Sequence, residues 1–234
     1  MELRGKVIAV TGGFGALGLA VANAAMNQGA HVALIDRAAG PVPTELPAQL
    51  SAALLLGGVD LTEFEAAQRA VAAVAHQYGG LDALINIAGA FRWQTLTDGD
   101  LSSWDVLYET NLKTAVVTSK SALPHLRKRG GGRIINIGAA AATKAGAGMG
   151  AYASAKAGVA KLTESLAEEL KDEGININAV LPSIIDTPAN RRDMPDADFS
   201  RWVTPDAVAD VIIFLASHAA RAITGALLPV VGRV

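Results

Sequence analysis

"VTGGFGALG", Val10 to Gly18, joins an apolar run to a segment with helical spacing. The run before it, KVIAV, ends on Val10, helix-forming residues begin at Ala16, and Gly12, Gly13, Gly15 and Gly18 punctuate the junction. A strand that turns tightly into a helix leaves the first backbone N–H groups of that helix without partners, and glycines let a pyrophosphate approach them. The stretch therefore reads as a dinucleotide turn, with Gly12, Gly13, Phe14, Gly15, Ala16, Leu17 and Gly18 as candidate contacts. Ala16 stands where a second close-approach glycine is usual. One methyl group leaves the neighbouring glycines free to take φ > 0, so a small displacement of the ligand is the expected cost and the turn is read as working.

Outward from the turn, HVALID places Asp36 at the end of a second strand, 18 residues beyond Gly18. A carboxylate there accepts ribose hydroxyls and repels a 2′-phosphate, which favours NAD(H) over NADP(H); Arg37 beside it keeps a case for the phosphorylated cofactor. Further apolar runs, LDALINI, GRIINI and ININAVL, are each separated by enough chain for a crossover helix. Their continuous apolar character implies helices on both faces. The expected architecture is α/β, a Rossmann-like doubly wound parallel sheet in one domain spanning residues 1–234. Helices are predicted over Ala16–Gln28, Thr62–Gln77, Leu101–Arg129 with a break, Tyr152–Lys171 and Thr204–Ala216, the last opened by an N-cap threonine, a proline and an acid. Ala38–Gln49, with three prolines, reads as a loop, and Ser183–Trp202 as a long irregular substrate loop.

Composition narrows the function. The 234 residues are 51% hydrophobic, with 20 basic and 22 acidic residues dispersed along the chain, so no footprint for nucleic acid or an anionic membrane is expected, and the partner is a small molecule. Without cysteine there is no disulfide, thiol nucleophile or Cys-ligated zinc. His31, His76, His125 and His218 are scattered, so no metal site is expected. No run reaches the length of a membrane span and the start lacks a signal peptide, which points to the cytoplasm.

Tyr152 and Lys156 are four apart in a helical segment and share a face. A free phenol has a pKa of about 10, so acid–base work near neutrality calls for a nearby positive charge, which Lys156 can supply.

With these residues in view, the chain resembles the short-chain dehydrogenase/reductase family along nearly its whole length. The likeness rests on Thr11-Gly12 and Gly18 of the turn, VDL with Asp60 and Leu61, NIAG with Asn86, Ala88 and Gly89, Asn111 in TNL, and YASAK with Tyr152 and Lys156. It implies that Tyr152 delivers a proton, that Lys156 also holds the nicotinamide ribose, that Asn111 holds a water, that Asp60 lies by the adenine, and that Thr187, five positions after Pro182, contacts the carboxamide. It also implies a homodimer or homotetramer through the Tyr152 helix and the helix before it, the former rich in small residues such as Ala153, Ala157, Ala160 and Ala167. The apolar C-terminus suggests a buried final strand.

The family's usual serine, 13 residues before the tyrosine, falls on Ala139. Thr143 replaces it only if the register slips by four. Losing one oxyanion donor costs about 10² to 10³ in rate for a carbonyl, so an electron-poor ring is the expected substrate. GGxGALG, alanine at the serine position and the stretch Asp186–Trp202 resemble the quinonoid dihydropteridine reductase branch. Phe91 and Trp93 could stack on a planar ring or pack as ordinary loop residues; Arg191 and Arg192 could bind an anionic group or the loop's own acids, Asp193, Asp196 and Asp198. Three functions follow as alternatives: hydride transfer to a planar quinonoid or carbonyl substrate, ordinary ketone or alcohol dehydrogenation, and nicotinamide binding without turnover.

Overall fold

β1 (Val7–Thr11) is buried along its whole length, and its side chains enter two cores alternately: Ile8 and Val10 on one face, Val7 and Ala9 on the other. That two-sided burial explains the unbroken apolar run and requires helices on both faces. In the computed structural model, which describes residues 2–40 and 48–234, it is met by α1 (Ala16–Asn27) and α7 (Pro205–Ala216) on one side. α2 (Phe64–Tyr78), α4 (Thr114–Lys128) and α5 (Gly150–Leu170) cover the other.

The remaining strands are β2 (His31–Ile35), β3 (Leu54–Leu56), β4 (Ala83–Asn86), β5 (Gly132–Ile137), β6 (Ile175–Pro182) and β7 (Leu227–Val230). All pair in parallel in the order β3-β2-β1-β4-β5-β6-β7. The strand order reverses direction at β1 and β4, where Thr11 lies opposite Asn86. Loops leaving those two strands part company there and open a crevice at the carboxyl ends of the sheet.

The doubly wound parallel sheet is as expected, and the Thr204 hydroxyl caps α7 by accepting the Ala207 N–H at 3.2 Å. The break in the helix after Leu101 is a π turn, Glu109–Lys113, between α3 (Ser102–Tyr108) and α4. Several expectations are corrected. β3 adds a strand that the sequence pattern does not mark, because three leucines show no alternation and follow a proline-rich stretch; of that loop, residues 41–47 lie outside the described residues. Ser183–Trp202 is not irregular throughout: it holds α6 (Pro188–Asp193) and a 3₁₀ turn, Phe199–Arg201, and is tied down by a bridge between Ile185 and Val203. The final strand is only half-buried with Pro229 exposed, as suits an edge. Of the small residues of α5, Ala153, Ala160 and Ala167 are buried within the chain and Ala157 is half-buried. Among the described residues no helix is long and apolar enough to cross a membrane.

Candidate active site

The crevice is a cleft of about 630 Å³ whose floor is the β1–α1 turn. Gly12 takes φ +62, a left-handed backbone that lets the chain turn out of β1. Gly18 packs so closely on the turn that a Cβ would stand 2.4 Å from the Gly12 carbonyl oxygen. Ala16 needs no such freedom: it begins α1, is exposed, and lines the cleft without a positive φ. No side chain caps α1, and its first turn carries no acid, so its leading N–H groups are left for an anion. Gly12, Gly15, Ala16, Leu17 and Gly18 line the cleft; Gly13 and Phe14 do not. Gly13 packs on Leu34, and Phe14 donates its N–H to Asp36 Oδ2 at 3.1 Å.

Asp36, Arg37, Asp60 and Leu61 line the same cleft. The second Asp36 oxygen accepts the Ala38 N–H, which anchors the carboxylate on the wall of the cleft. Asp60 accepts both the N–H and the hydroxyl of Thr62, and these bonds, helped by the charges of Arg37 and Lys113 and opposed by burial, hold its carboxyl below the usual range. An uncapped helix start, a glycine cradle and a carboxylate at the end of β2 are a fit for a dinucleotide.

Ala88 and Gly89 line the cleft beyond β4, but Asn86 does not. Its amide lies inside the protein, donating to Ser119 Oγ and Asn136 Oδ1 and accepting from Thr118, while Asn136 in turn donates to Thr163. This satisfied network ties β4 and β5 to α4 and α5, so Asn86 supports the site without touching it. Thr11 acts similarly: its hydroxyl accepts the N–H groups of Ile87 and Ala88 at 3.1 and 3.2 Å, joining the two loops that flank the cleft.

Asn111, Lys156 and Tyr152 lie together beyond Gly89. The π turn inserts an extra residue's rotation where Asn111 enters the interior. Its amide donates to Ala90 O and Leu107 O, both at 2.9 Å. A Cβ on Gly89 would stand 2.6 Å from Asn111 Oδ1 and 3.4 Å from Lys156 Nζ, so only glycine leaves room between them. Lys156, 4% exposed, donates to Ile137 O at 2.7 Å, and its Nζ is 5.9 Å from the centre of the Tyr152 ring. Burial pushes Lys156 down to about 8 and Tyr152 up to about 12. The expected lowering of the phenol by Lys156 is therefore not met in the chain alone: desolvation outweighs the lysine, whose hydrogen bond goes to the backbone.

A family model described as short chain dehydrogenase matches residues 6–198. The chain belongs to that family. Among its relatives, 2-(S)-hydroxypropyl-CoM dehydrogenase 3 of Xanthobacter autotrophicus is 32% identical over 99% of this chain and 97% of its own. A 3-oxoacyl-(acyl-carrier-protein) reductase of Vibrio cholerae is 33% identical over 99% and 98% of the two chains. Carveol dehydrogenase from Mycobacterium avium in complex with NAD is 28% identical, with a TM-score of 0.86, and is matched over 98% of its length by 99% of this chain. As a short-chain dehydrogenase, the protein is an NAD(P)-dependent oxidoreductase with a Rossmann fold. Neither these relatives nor this structure bears the name of a dihydropteridine reductase.

In this dehydrogenase β5 runs in unbroken register with β6 to Ile137, and Gly138 extends the pairing to Val180. No register slip occurs. Ala139 follows at once, extended and 6% exposed, while Thr143 lies past a 3₁₀ turn, exposed, and does not take its place. Phe91 meets the Tyr152 ring edge-on at 5.0 Å yet is 56% exposed. Trp93 donates its indole N–H to Ala147 O at 2.9 Å and covers Gly148, where a Cβ would collide with the ring. Neither aromatic packs into the core.

Thr187 lines the cleft and caps α6 by accepting the Asn190 N–H; Pro182 is buried at the end of β6 and is not on the wall. Thr110 and Thr114 line the cleft without having been read as site residues, and of the two arginines considered for an anionic group Arg192 alone lines it. The threonines flank Asn111 at one-turn spacing, a signal present in the sequence; nothing there distinguished Arg192 from Arg191.

Proposed function

We propose that this short-chain dehydrogenase uses NAD(H) in preference to NADP(H) and transfers hydride between it and a small planar quinonoid or carbonyl substrate, with Tyr152 as proton donor. The cofactor preference is supported by Asp36 on the cleft wall, where a carboxylate repels a 2′-phosphate. A bound nicotinamide supplies the hydride acceptor or donor. Tyr152, kept protonated by burial, holds the proton for the atom that gains electron density when the substrate is reduced. Lys156 places a buried cation beside that phenol, and Asn111, fixed by Ala90 and Leu107, shapes the wall behind Gly89.

The observation that carries the substrate class is Ala139, which follows β5 with no hydroxyl where an oxyanion donor would stand. A localised alkoxide lacks that stabilisation, whereas a delocalised quinonoid ring needs it less. Exposed Trp93 and exposed Phe91, the latter edge-on to the Tyr152 ring, offer flat apolar surface. A ketone or alcohol substrate is the second reading, favoured by the relatives whose names carry hydroxypropyl and oxoacyl groups. Cofactor binding without turnover is disfavoured by the buried Tyr152–Lys156 pair, which binding alone does not require. A homodimer or homotetramer is supported by exposed apolar surface at Trp104, Tyr108 and Val116 on α3 and α4.

The test is NADH oxidation with quinonoid dihydropterin, quinones and simple ketones, in the wild type and in Ala139→Ser. The proposal expects saturable turnover on the quinonoid substrates and a rise of about 10-fold or more in ketone turnover on adding the hydroxyl. Ketone turnover already high, and unchanged by the serine, overturns the substrate class.

A further inference from the structure

α6 carries two neighbouring arginines that the structure sorts into different roles. Arg191 is fully engaged: its guanidinium makes a bidentate pair with Asp186, at 2.5 and 2.7 Å, and lies 4.8 Å from the centre of the Phe199 ring. Asp186 is itself fixed, donating its N–H to Val203 O. The helix is held at its start as well, where Thr187 caps Asn190 and the Asn190 amide donates to Ile185 O at 2.7 Å. These contacts set the rotation of α6, and the next residue, Arg192, is thereby turned onto the wall of the cofactor cleft.

Arg192 has no ion pair or side-chain hydrogen bond among the described residues. Several carboxylates of the cleft wall and of this loop are bonded elsewhere. Asp36 is bonded to the Phe14 and Ala38 amides, Asp60 to Thr62, and Asp198 to the N–H and hydroxyl of Ser200. A cation without a partner on the wall of a cleft is an anion site in waiting, and its floor is already electropositive, since α1 starts in the same cleft with no side-chain cap and no acid in its first turn. The positive start of α1 and the guanidinium of Arg192 border one cleft.

We propose that Arg192 is a cofactor-binding residue: it closes on the pyrophosphate of the dinucleotide from the α6 side while the α1 start holds it from below. This rests on the dinucleotide reading of the cleft. It makes α6 part of the binding site in its present position, with Arg191 the positioning residue that aims it. A guanidinium matches a phosphate's paired oxygens, so lysine replaces it only in part.

The experiment is direct binding of NADH, followed by nicotinamide fluorescence at two salt concentrations, with ADP-ribose and adenosine as competitors. Arg192→Gln is expected to weaken NADH and ADP-ribose by about 10- to 100-fold, to flatten the salt dependence and to leave adenosine unchanged. Arg192→Lys recovers part of the loss. Arg192 is exposed, and an unchanged melting temperature confirms the fold of the variants. Unchanged NADH and ADP-ribose affinity in Arg192→Gln overturns the proposal, and a rise in KM confined to anionic substrates reassigns the residue to substrate. A wild type that binds no NADH overturns the cofactor reading itself, a result that needs no variant to recognise.

Discussion

Lys156 Nζ donates to the carbonyl oxygen of Ile137 at 2.7 Å, so the ammonium on α5 is anchored to the last residue of β5, at a fixed place beside Tyr152. A buried cation held by one carbonyl is costly, and its drop from 10.5 to about 8 corresponds to about 3 kcal/mol. Between pH 8 and 10.5 the unfolded chain binds a proton here that the folded chain does not, so stability rises with pH across that window. Tyr152 acts oppositely from pH 10 to about 12, where the folded state keeps a proton the unfolded state has lost. Urea unfolding should show the wild type gaining about 2–3 kcal/mol relative to Lys156→Met between pH 8 and 10.5. Parallel pH curves for the two proteins would mean that Lys156 titrates normally.

Removing only the phenolic oxygen separates chemistry from binding. Tyr152→Phe keeps the edge-on contact with Phe91 and is expected to lower kcat by about 10² to 10⁴. NADH affinity should stay within about two-fold. Loss of NADH binding together with kcat would assign Tyr152 a structural role.

The turn's two small residues should respond unequally. Gly18→Ala drives a methyl group to 2.4 Å from a backbone oxygen, which nothing nearby can yield to, and should cost about 1–3 kcal/mol of stability and most NADH binding. Ala16→Gly touches an exposed helix start and should change NADH affinity less than about three-fold. Thermal melts and fluorescence titration of both variants measure the contrast.

Asp36→Ser should relax the cofactor preference. It removes the carboxylate that would repel a 2′-phosphate and leaves Arg37 on the same wall. The ratio of kcat/KM for NADH over NADPH is expected to fall by about 10-fold or more, and an unchanged ratio would place the discrimination elsewhere.

Gly148 has φ +74 and no room for a Cβ under the Trp93 ring. Gly148→Ala should therefore free Trp93 from the Ala147 carbonyl and raise KM for planar substrates several-fold, with NADH affinity intact. Trp93 fluorescence reports the release, because two further tryptophans, Trp104 and Trp202, can be replaced as background.

The sequence alone determined the parallel doubly wound sheet, the turn from Gly12 to Gly18 and the Tyr152–Lys156 pair. Each is a local pattern: an apolar run buried on both faces, glycines at a strand-to-helix junction, two side chains one helical turn apart. It could not show β3, whose three leucines carry no period, or the inward turn of Asn86, because a polar residue at a strand's end faces a cleft or a buried network according to the layers packed around it. Tertiary structure alone decided that Arg192 faces the cleft and Arg191 does not, since adjacent residues of the same type are separated only by the rotation that Thr187, Asp186 and Phe199 impose on α6. It also decided that burial, and not the neighbouring lysine, governs the Tyr152 phenol, because desolvation depends on every element closed around a group and has no signature in spacing.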